Sequence, residues 1–507
     1  MTEPIVVHEA VRVPGSATTL FAGRRGARLR VLIAAFDGLQ PSQVRPGLTP
    51  TIHRLARDGV TFARHHAVFP TVTRVNAASM VTGRHPGGHG LLGNTLVVPE
   101  WEPYRAIPAL APELGAIAEA MGRVLLAPTL GEMLRPHGLT FGTVVGGTSG
   151  NAYVQHPHAV RVGGAVLHPE FTLPADHYVP MVERFGAWPP KRSPEIGRIR
   201  QAADVLLGYL LPEVDPDVAL VWFPEPDTSQ HAAGVGSPPA VDALTAADAE
   251  LGRILTELGR RDVEPDVLVV SDHGYSTVAR RIAIEDIVRE AGFPPGHVPG
   301  GVTVAANGGA ALFYLRDSDP GVLERLTEWL VAQPWTGALV AGRVEGAALG
   351  LLPGDLVGVA GPRAADVVLS FRWDSAGTAN GFAGCADSAE GAPGLGTHGS
   401  GSPHELRCTL IAAGPSFRHG MVSELPSGNV DIAPTVLRLL GVTTDAALDG
   451  RPLIEGLRTA ADLPPEASAP HWYEATCRLG GVRLVHRALI ERVGHARYVA
   501  SLGSERP

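Results

Sequence analysis

Three stretches decide the fold: Val31-Leu-Ile-Ala-Ala-Phe36 running into Asp37-Gly38, Val218-Ala-Leu-Val-Trp-Phe223 running into Glu225-Pro-Asp227, and Val267-Leu-Val-Val270 running into Ser271-Asp272-His273-Gly274. Each is an apolar run of strand length that stops at carboxylates or a histidine. None alternates polar with apolar, so both faces of each strand need cover, as in a parallel sheet flanked by helices. In such sheets ligands bind beyond the carboxyl ends of the strands, where all three runs put their polar groups.

Helical spacing fills the intervals. Thr49-Pro50-Thr51 offers a hydroxyl and an early proline, and Ile52, Leu55, Ala56 and Val60 follow at helical intervals. Residues 240–258 repeat the pattern through Leu244, Ala247, Leu251, Ile254 and Leu258, and 430–440 lead to Gly441. Residues 95–200 are rich in Pro, Gly and His without clean periodicity and read as containing an insertion. Residues 311–341 read as strand, helix, strand, 377–401 as a glycine-rich loop, and 472–503 as a β-rich hairpin. The expected organisation is an N-terminal segment (1–27), an α/β domain (28–455) with inserted or cap material in 95–200 and 300–397, and a β-rich extension (456–507).

The length of 507 residues and 45% hydrophobic content allow a large core and exclude a disordered chain. A net charge of −9 gives no general attraction for nucleic-acid polymers or anionic membranes, so recognition of phosphate must be local. Of the 42 basic residues all but Lys191 are arginine. Cys385, Cys408 and Cys477 are too widely spaced for a disulfide framework or a Cys-x-x-Cys zinc site. No apolar run approaches the ~18 residues of a spanning helix. Arg24-Arg25 precedes an apolar run too short for an export signal, so the cytoplasm is the expected compartment.

Metal-ligand residue types gather at the strand ends. Asp227 and His231 are four apart, one helical turn, so both can face one ion. Asp272-His273, Asp37 and His398 in Gly396-Thr-His-Gly399 complete a set of three Asp and three His, enough nitrogen and oxygen donors for two divalent cations. Between the first and second runs lie Phe69-Pro-Thr-Val-Thr73-Arg-Val-Asn76 and Thr82-Gly-Arg-His-Pro86-Gly-Gly-His89-Gly90, with Asn94 close behind.

Taken together and in this order, these elements resemble the type I phosphodiesterase/nucleotide pyrophosphatase branch of the alkaline phosphatase superfamily. That family carries a strand ending in Asp-Gly, Phe-Pro-Thr-x-Thr-x-x-Asn, Thr-Gly-x-x-Pro-x-x-His-Gly, a nearby Asn, Glu-Pro-Asp-x-x-x-His, Ser-Asp-His-Gly and a late Gly-x-His-Gly. The resemblance implies a mostly parallel sheet sandwiched by helices with a small cap, and hydrolysis of phosphodiester or phosphoanhydride bonds in a small phosphorylated substrate. It implies Thr73 as nucleophile, passing through a phosphothreonine. Asp37, Asp272, His273 and Thr73 would hold one metal, Asp227, His231 and His398 the other, and Asn94 would meet a phosphoryl oxygen. The mixed donor set favours zinc, with manganese and iron as alternatives.

The sequence departs from the resemblance at one informative place. Many of these pyrophosphatases have an aromatic residue and a proline after the nucleophile; here stand Arg74 and Val75. A guanidinium can stack on a base, grip a second anionic group, or simply face solvent or pair with a carboxylate. The related phosphonoacetate hydrolases are known for paired lysines, which a chain with Lys191 alone does not have. A phosphonate or phosphomonoester substrate, a non-catalytic protein on the same fold, and a homo-oligomer are the alternatives carried forward. His85 and His89 read as turn residues, with His89 bonding local backbone; His65, His66, His156 and His158 read as surface or pocket-wall residues, Phe69 and Trp222 as core, and Thr71 as capping.

Overall fold

The computed structural model describes residues 29–459 and 466–506. Segment 1–27, with Arg24-Arg25, lies outside the described residues. The centre is a nine-stranded sheet in the order Met421–Ser423, Val60–Phe62, Leu410–Ala413, Asp266–Val270, Val31–Phe36, Val218–Phe223, Phe141–Val145, Ala165–Leu167 and Thr172–Leu173. Its middle is parallel: Val31–Phe36 pairs with Asp266–Val270 on one side and Val218–Phe223 on the other, and Val218–Phe223 pairs with Phe141–Val145. Antiparallel strands occur towards the edges.

The apolar strands are covered on both faces. Val31, Ile33 and Ala35 enter one core with Val218, Leu220 and Trp222. Leu32, Ala34 and Phe36 enter a second core on the opposite face with Ala219, Val221 and Phe223. The period-2 alternation of a strand thus sends one continuous apolar run into two separate cores. Helix Pro238–Arg260 lays Leu244, Ala247, Leu251, Ile254 and Leu258 on the second face, alongside Ile196–Val205. On the first face sit Thr73–Thr82, which is buried along almost its whole circumference, and Ile432–Leu440.

Several expectations change in detail. The first helix runs Pro50–Asp58 and ends at Gly59, so Val60 begins a sheet strand instead of a further helical turn. Gly59 cannot carry a side chain there, because a Cβ would lie 2.3 Å from the Ala412 carbonyl oxygen. Within 95–200, Phe141–Val145 lies beside the central strands, its lack of helical periodicity explained by burial on both faces. Residues 377–401 are not all loop: Ala383–Ser388 pairs with Ser276–Arg281, which also pairs with Gly396–Thr397. The strand–helix–strand over 311–341 is observed as Ala310–Leu315, Pro320–Ala332 and Thr336–Ala341, part of a five-stranded sheet with its own core.

The C-terminal residues form a three-stranded antiparallel sheet, Ala467–Leu479, Val482–Val493 and Ala496–Glu505, rather than a single hairpin. It is tied to the body by a buried polar network. Tyr498 donates to Asp431 Oδ2 at 2.8 Å, and Asp431 Oδ1 accepts the Arg451 amide at 2.8 Å. The Arg451 guanidinium grips Glu455 through two bonds of 2.8 and 2.7 Å, with both side chains all but sealed from water. Replacing one member of a buried pair strands the other charge at about 3–5 kcal/mol, whereas an apolar swap of both is far cheaper. Arg451→Leu should therefore lower the urea unfolding midpoint markedly, and Arg451→Met with Glu455→Leu should restore most of it.

Candidate active site

Parallel register brings the candidate residues together. Ala35 pairs with both Val270 and Trp222, so Asp37, Asp272 and the Glu225–Asp227 turn leave the sheet at one level. Cross-strand bonds then lock the exits. Gly38 N donates to Asp272 Oδ1 at 3.0 Å, Leu39 N to Ser271 Oγ at 2.8 Å, and Asp227 N to the Asp37 carbonyl at 3.1 Å. The Asp-Gly pairing has a steric cause: Gly38 has φ +72°, and a Cβ there would strike the Tyr275 ring at 2.7 Å.

The side chains form two adjoining clusters. In the buried one, His273 Nε2 lies 3.6 Å from Asp37 Oδ1, 3.1 Å from Asp272 Oδ2 and 3.3 Å from Thr73 Oγ1. In the other, Asp227 Oδ1 lies 3.4 Å from both His231 Nε2 and His398 Nε2. Asp227 also groups with Asp37 and His273, their ligand atoms all within 4.8 Å of one another, so it stands between the clusters. The two clusters differ in access, for the His273 side chain is sealed while that of His231 is 41% exposed.

All three histidines are held in the same way. Nδ1 faces a backbone carbonyl, that of Gly274 for His273 at 3.0 Å, Gly396 for His231 at 3.0 Å and Thr71 for His398 at 2.8 Å. With Nδ1–H donating there, Nε2 of each neutral ring presents its lone pair to the cluster, the tautomer a metal ligand needs. His398 is therefore not in a loose loop: it is buried and anchored to Thr71. Thr71 does not cap the helix as expected: its hydroxyl lies 2.8 Å from the Ser400 carbonyl and 3.0 Å from Glu405 and accepts Gly399 N at 2.8 Å, which ties down the His398 loop.

The electrostatics of these residues suits cations. Asp37 is held well above the usual carboxylate range, first by burial, then by the negative charges of Asp272 and Asp227. Its Oδ2 accepts the Trp222 indole N–H at 2.9 Å, while Oδ1, equally buried, has no hydrogen-bond partner among the described residues. Burial opposes charge on His273, but Asp272 and Asp227 outweigh it and raise the ring's pKa. Burial, followed by His273 and His231, drives His398 well below its ordinary value, keeping it neutral. An orphaned carboxylate oxygen, crowded like charges and inward-facing imidazole nitrogens fit one or two divalent ions.

Thr73 opens helix Thr73–Thr82, so its hydroxyl sits at the positive end of a ten-residue helix. Asn76 shapes the turn before it, accepting Val68 N at 2.8 Å and donating to the Val72 carbonyl at 3.2 Å. Asn94 Oδ1 accepts the Arg74 amide at 3.1 Å, which leaves its NH2 as the donor. Arg74 is the one residue of this helix that is not fully buried, and no carboxylate pairs with it among the described residues.

Several supporting residues escaped the sequence reading. Tyr275 donates to Asp227 Oδ1 at 2.7 Å, Glu405 anchors the His398 loop through Ser400 N and Oγ, and Asn429 donates to the Asp272 carbonyl at 2.7 Å and to Asn76 Oδ1 at 3.0 Å. Tyr275 directly follows Asp-His-Gly and could have been suspected. Asn429 and Glu405 carry no local signal, because only the fold brings them near. Trp222, read as core, is fully buried and also orients Asp37. His89 is structural, bonded to Ser79 Oγ at 3.0 Å and accepting Leu91 N. His65, His66 and His156 are not surface residues, for the fold buries all three.

Comparison with known proteins agrees with this architecture. The chain is 18% identical to murine ectonucleotide pyrophosphatase/phosphodiesterase 5, with a TM-score of 0.57 covering 82% of this chain and 95% of that one, so the alkaline-phosphatase-like fold is shared. It is 23% identical over 260 residues to the venom phosphodiesterase of Macrovipera lebetinus, covering 49% of this chain and 26% of that protein. It is 22% identical over 287 residues to human ectonucleotide pyrophosphatase/phosphodiesterase family member 7, covering 53% and 52%. The chain thus spans about half or less of the length of the venom and human proteins it matches. Residues 31–381 match the family model for type I phosphodiesterase/nucleotide pyrophosphatase, and the chain belongs to that family.

Proposed function

We propose that the protein is a metal-dependent hydrolase of phosphodiester or phosphoanhydride bonds in a small phosphorylated substrate, with Thr73 as nucleophile. The observation that carries this reading is the Thr73 hydroxyl, at a helix N-terminus and 3.3 Å from His273 Nε2, facing a cluster with an orphaned buried carboxylate oxygen. Family membership supports it, as do relatives named phosphodiesterase and pyrophosphatase. Asp37, Asp272, His273 and Thr73 would hold one divalent ion and Asp227, His231 and His398 a second, with zinc favoured by the His and carboxylate donors.

Bound there, two such ions would lower the pKa of the Thr73 hydroxyl and offset charge on the phosphoryl group. Thr73 Oγ1 attacks phosphorus, the bond to the leaving oxygen breaks, and a phosphothreonine forms. Water then cleaves the Oγ1–P bond and restores Thr73. The Thr73 amide, which as a first helical residue has no intrahelical acceptor, and the Asn94 NH2 would stabilise the equatorial oxygens. The exposed flank of His231 offers the water route. Lys191, the only lysine, is exposed on the segment before Ile196, which disfavours a lysine-clamped phosphonate. Three unpaired thiols, two of them buried, are consistent with the proposed reducing, cytoplasmic setting. No helix among the described residues is long and apolar enough to cross a membrane.

Thr73→Ala should lower kcat on bis-p-nitrophenyl phosphate by at least ~10³-fold with unchanged circular dichroism; activity within tenfold of the parent removes Thr73 as nucleophile. A preference for p-nitrophenyl phosphate over the diester by more than about tenfold, roughly 1.4 kcal/mol, would overturn the diesterase reading.

Metal binding has a readout apart from turnover. Adding Zn²⁺ to chelator-stripped protein at about 100 times its Kd should stabilise the fold by about 2.7 kcal/mol for each ion bound, seen as a higher Tm. Asp227→Asn, which neutralises the carboxylate shared by both clusters, should lose most of that gain. An unchanged Tm with zinc, manganese and iron alike would sink the metal reading.

A further inference from the structure

Beside the nucleophile lies a feature that phosphoryl hydrolysis alone does not require. Arg74 projects from the helix opened by Thr73, and one of its terminal nitrogens donates to the Asn94 carbonyl at 3.2 Å. Its Nε is buried with no hydrogen-bond partner, and no carboxylate pairs with the guanidinium among the described residues. Among the described residues this guanidinium makes no direct ion pair and feels only the longer-range charges of Asp37, Glu390 and Asp227, although desolvating it costs energy that a close partner normally offsets.

The surroundings supply further donors. Residues 146–150, Gly-Gly-Thr-Ser-Gly, follow the strand Phe141–Val145 at the same carboxyl edge of the sheet that carries the clusters; Gly146 N donates to the Trp222 carbonyl at 3.1 Å, and Ser149 and Gly150 open the helix Ser149–Gln155. Gly150 packs close to Arg74, where a Cβ would sit 2.9 Å from Nε. Directly after this loop Asn151 is completely buried, and its Oδ1 accepts Gln155 Nε2 at 3.1 Å. Its Nδ2 has no partner, and the nearest atoms to a Cβ built on Gly147 are Pro224 Cβ at 3.8 Å and this Nδ2 at 3.9 Å. An arginine with an unanswered nitrogen and a buried amide with an unanswered N–H thus border one glycine-rich loop. Pro224, which touches the same loop, begins the turn that carries Asp227.

We propose that Arg74 and Asn151, with the backbone of residues 146–150, form a subsite for a second anionic group, a phosphate or a carboxylate, carried by the substrate next to the reacting phosphoryl group. The inference rests on the hydrolase reading above and narrows it to substrates with two anionic centres. Arginine suits the role because its planar fork meets two oxygens at once. The small residues of the loop let an anion approach the backbone, and the buried amide adds an unpaired donor.

The test uses three diesters that share a p-nitrophenyl leaving group and differ in the other arm, which is methyl, carboxymethyl or phosphonomethyl. The wild type should favour one or both anionic arms over methyl by about tenfold or more in kcat/KM, and the carboxymethyl and phosphonomethyl arms distinguish the two anions. Arg74→Ala should erase that preference, chiefly through KM, and cost the anionic-arm diesters at least about tenfold more than the methyl diester. Asn151→Ala should weaken the preference in part, and Arg74→Lys should keep some of it. These two variants carry the test if Arg74→Ala fails to fold.

Equal losses on all three diesters would overturn the subsite and leave Arg74 as a support for Asn94. If the wild type cleaves none of them, the hydrolase reading falls, and calorimetry with methylenebisphosphonate decides the subsite separately. Binding at least about tenfold weaker in Arg74→Ala supports it, and equal affinity overturns it.

Discussion

Like charges gathered where water cannot screen them are the constraint around which this molecule is organised. Ligand oxygens of Asp37 and Asp227 lie within 4.8 Å of each other, and Asp272 is completely buried beside them. At an effective dielectric constant of about 20, two such charges repel by roughly 3 kcal/mol. An exposed ion pair, worth about 0–1 kcal/mol, could not hold them together. The sheet does so instead, because the adjacent parallel strands that carry Asp37 and Asp272 share their register with the strand leading to Asp227, and their exits are bonded to one another. Trp222 and Tyr275 orient the carboxylates without neutralising them.

Distant parts of the chain share in this task. Asn429 joins the Asp272 carbonyl to Asn76, and so links a strand exit to the turn before Thr73. His65 bonds Asn429 Oδ1 at 3.0 Å, and two residues further on Asp431 receives Tyr498 from the C-terminal sheet. The C-terminal sheet is therefore linked to the strand exits through two sets of buried hydrogen bonds joined by the short segment 429–431. Polar groups sunk this deeply stabilise a structure only when satisfied, and most members of these sets are.

What the sequence disclosed follows from which interactions are local. The three apolar runs announced parallel strands because burial on both faces leaves no polar positions, and their last residues marked the site. Asp227 and His231 were legible because a helix fixes residues four apart on one side. His398 was legible as a candidate but not as a fixed one, since its anchor is the carbonyl of Thr71, far away in the chain. Phe141–Val145 hid among glycines and prolines because a short strand covered on both faces has no period of its own. Neither Glu405 nor Asn429 could be found at all, as their partners are set by tertiary packing alone.

Arg74 shows how composition and geometry meet. The chain carries a net charge of −9, so a phosphorylated substrate approaches a molecule that repels it on average. Were two divalent ions held and Thr73 ionised, as proposed, the three aspartates and the alkoxide would cancel the charge of the ions. Arg74 would then supply the net positive charge facing the substrate. An arginine is better fitted to that duty than a lysine, because it stays protonated even where burial lowers its pKa to about 10. A chain in which arginine has almost wholly displaced lysine can therefore keep a partly buried cation beside its nucleophile throughout the neutral pH range.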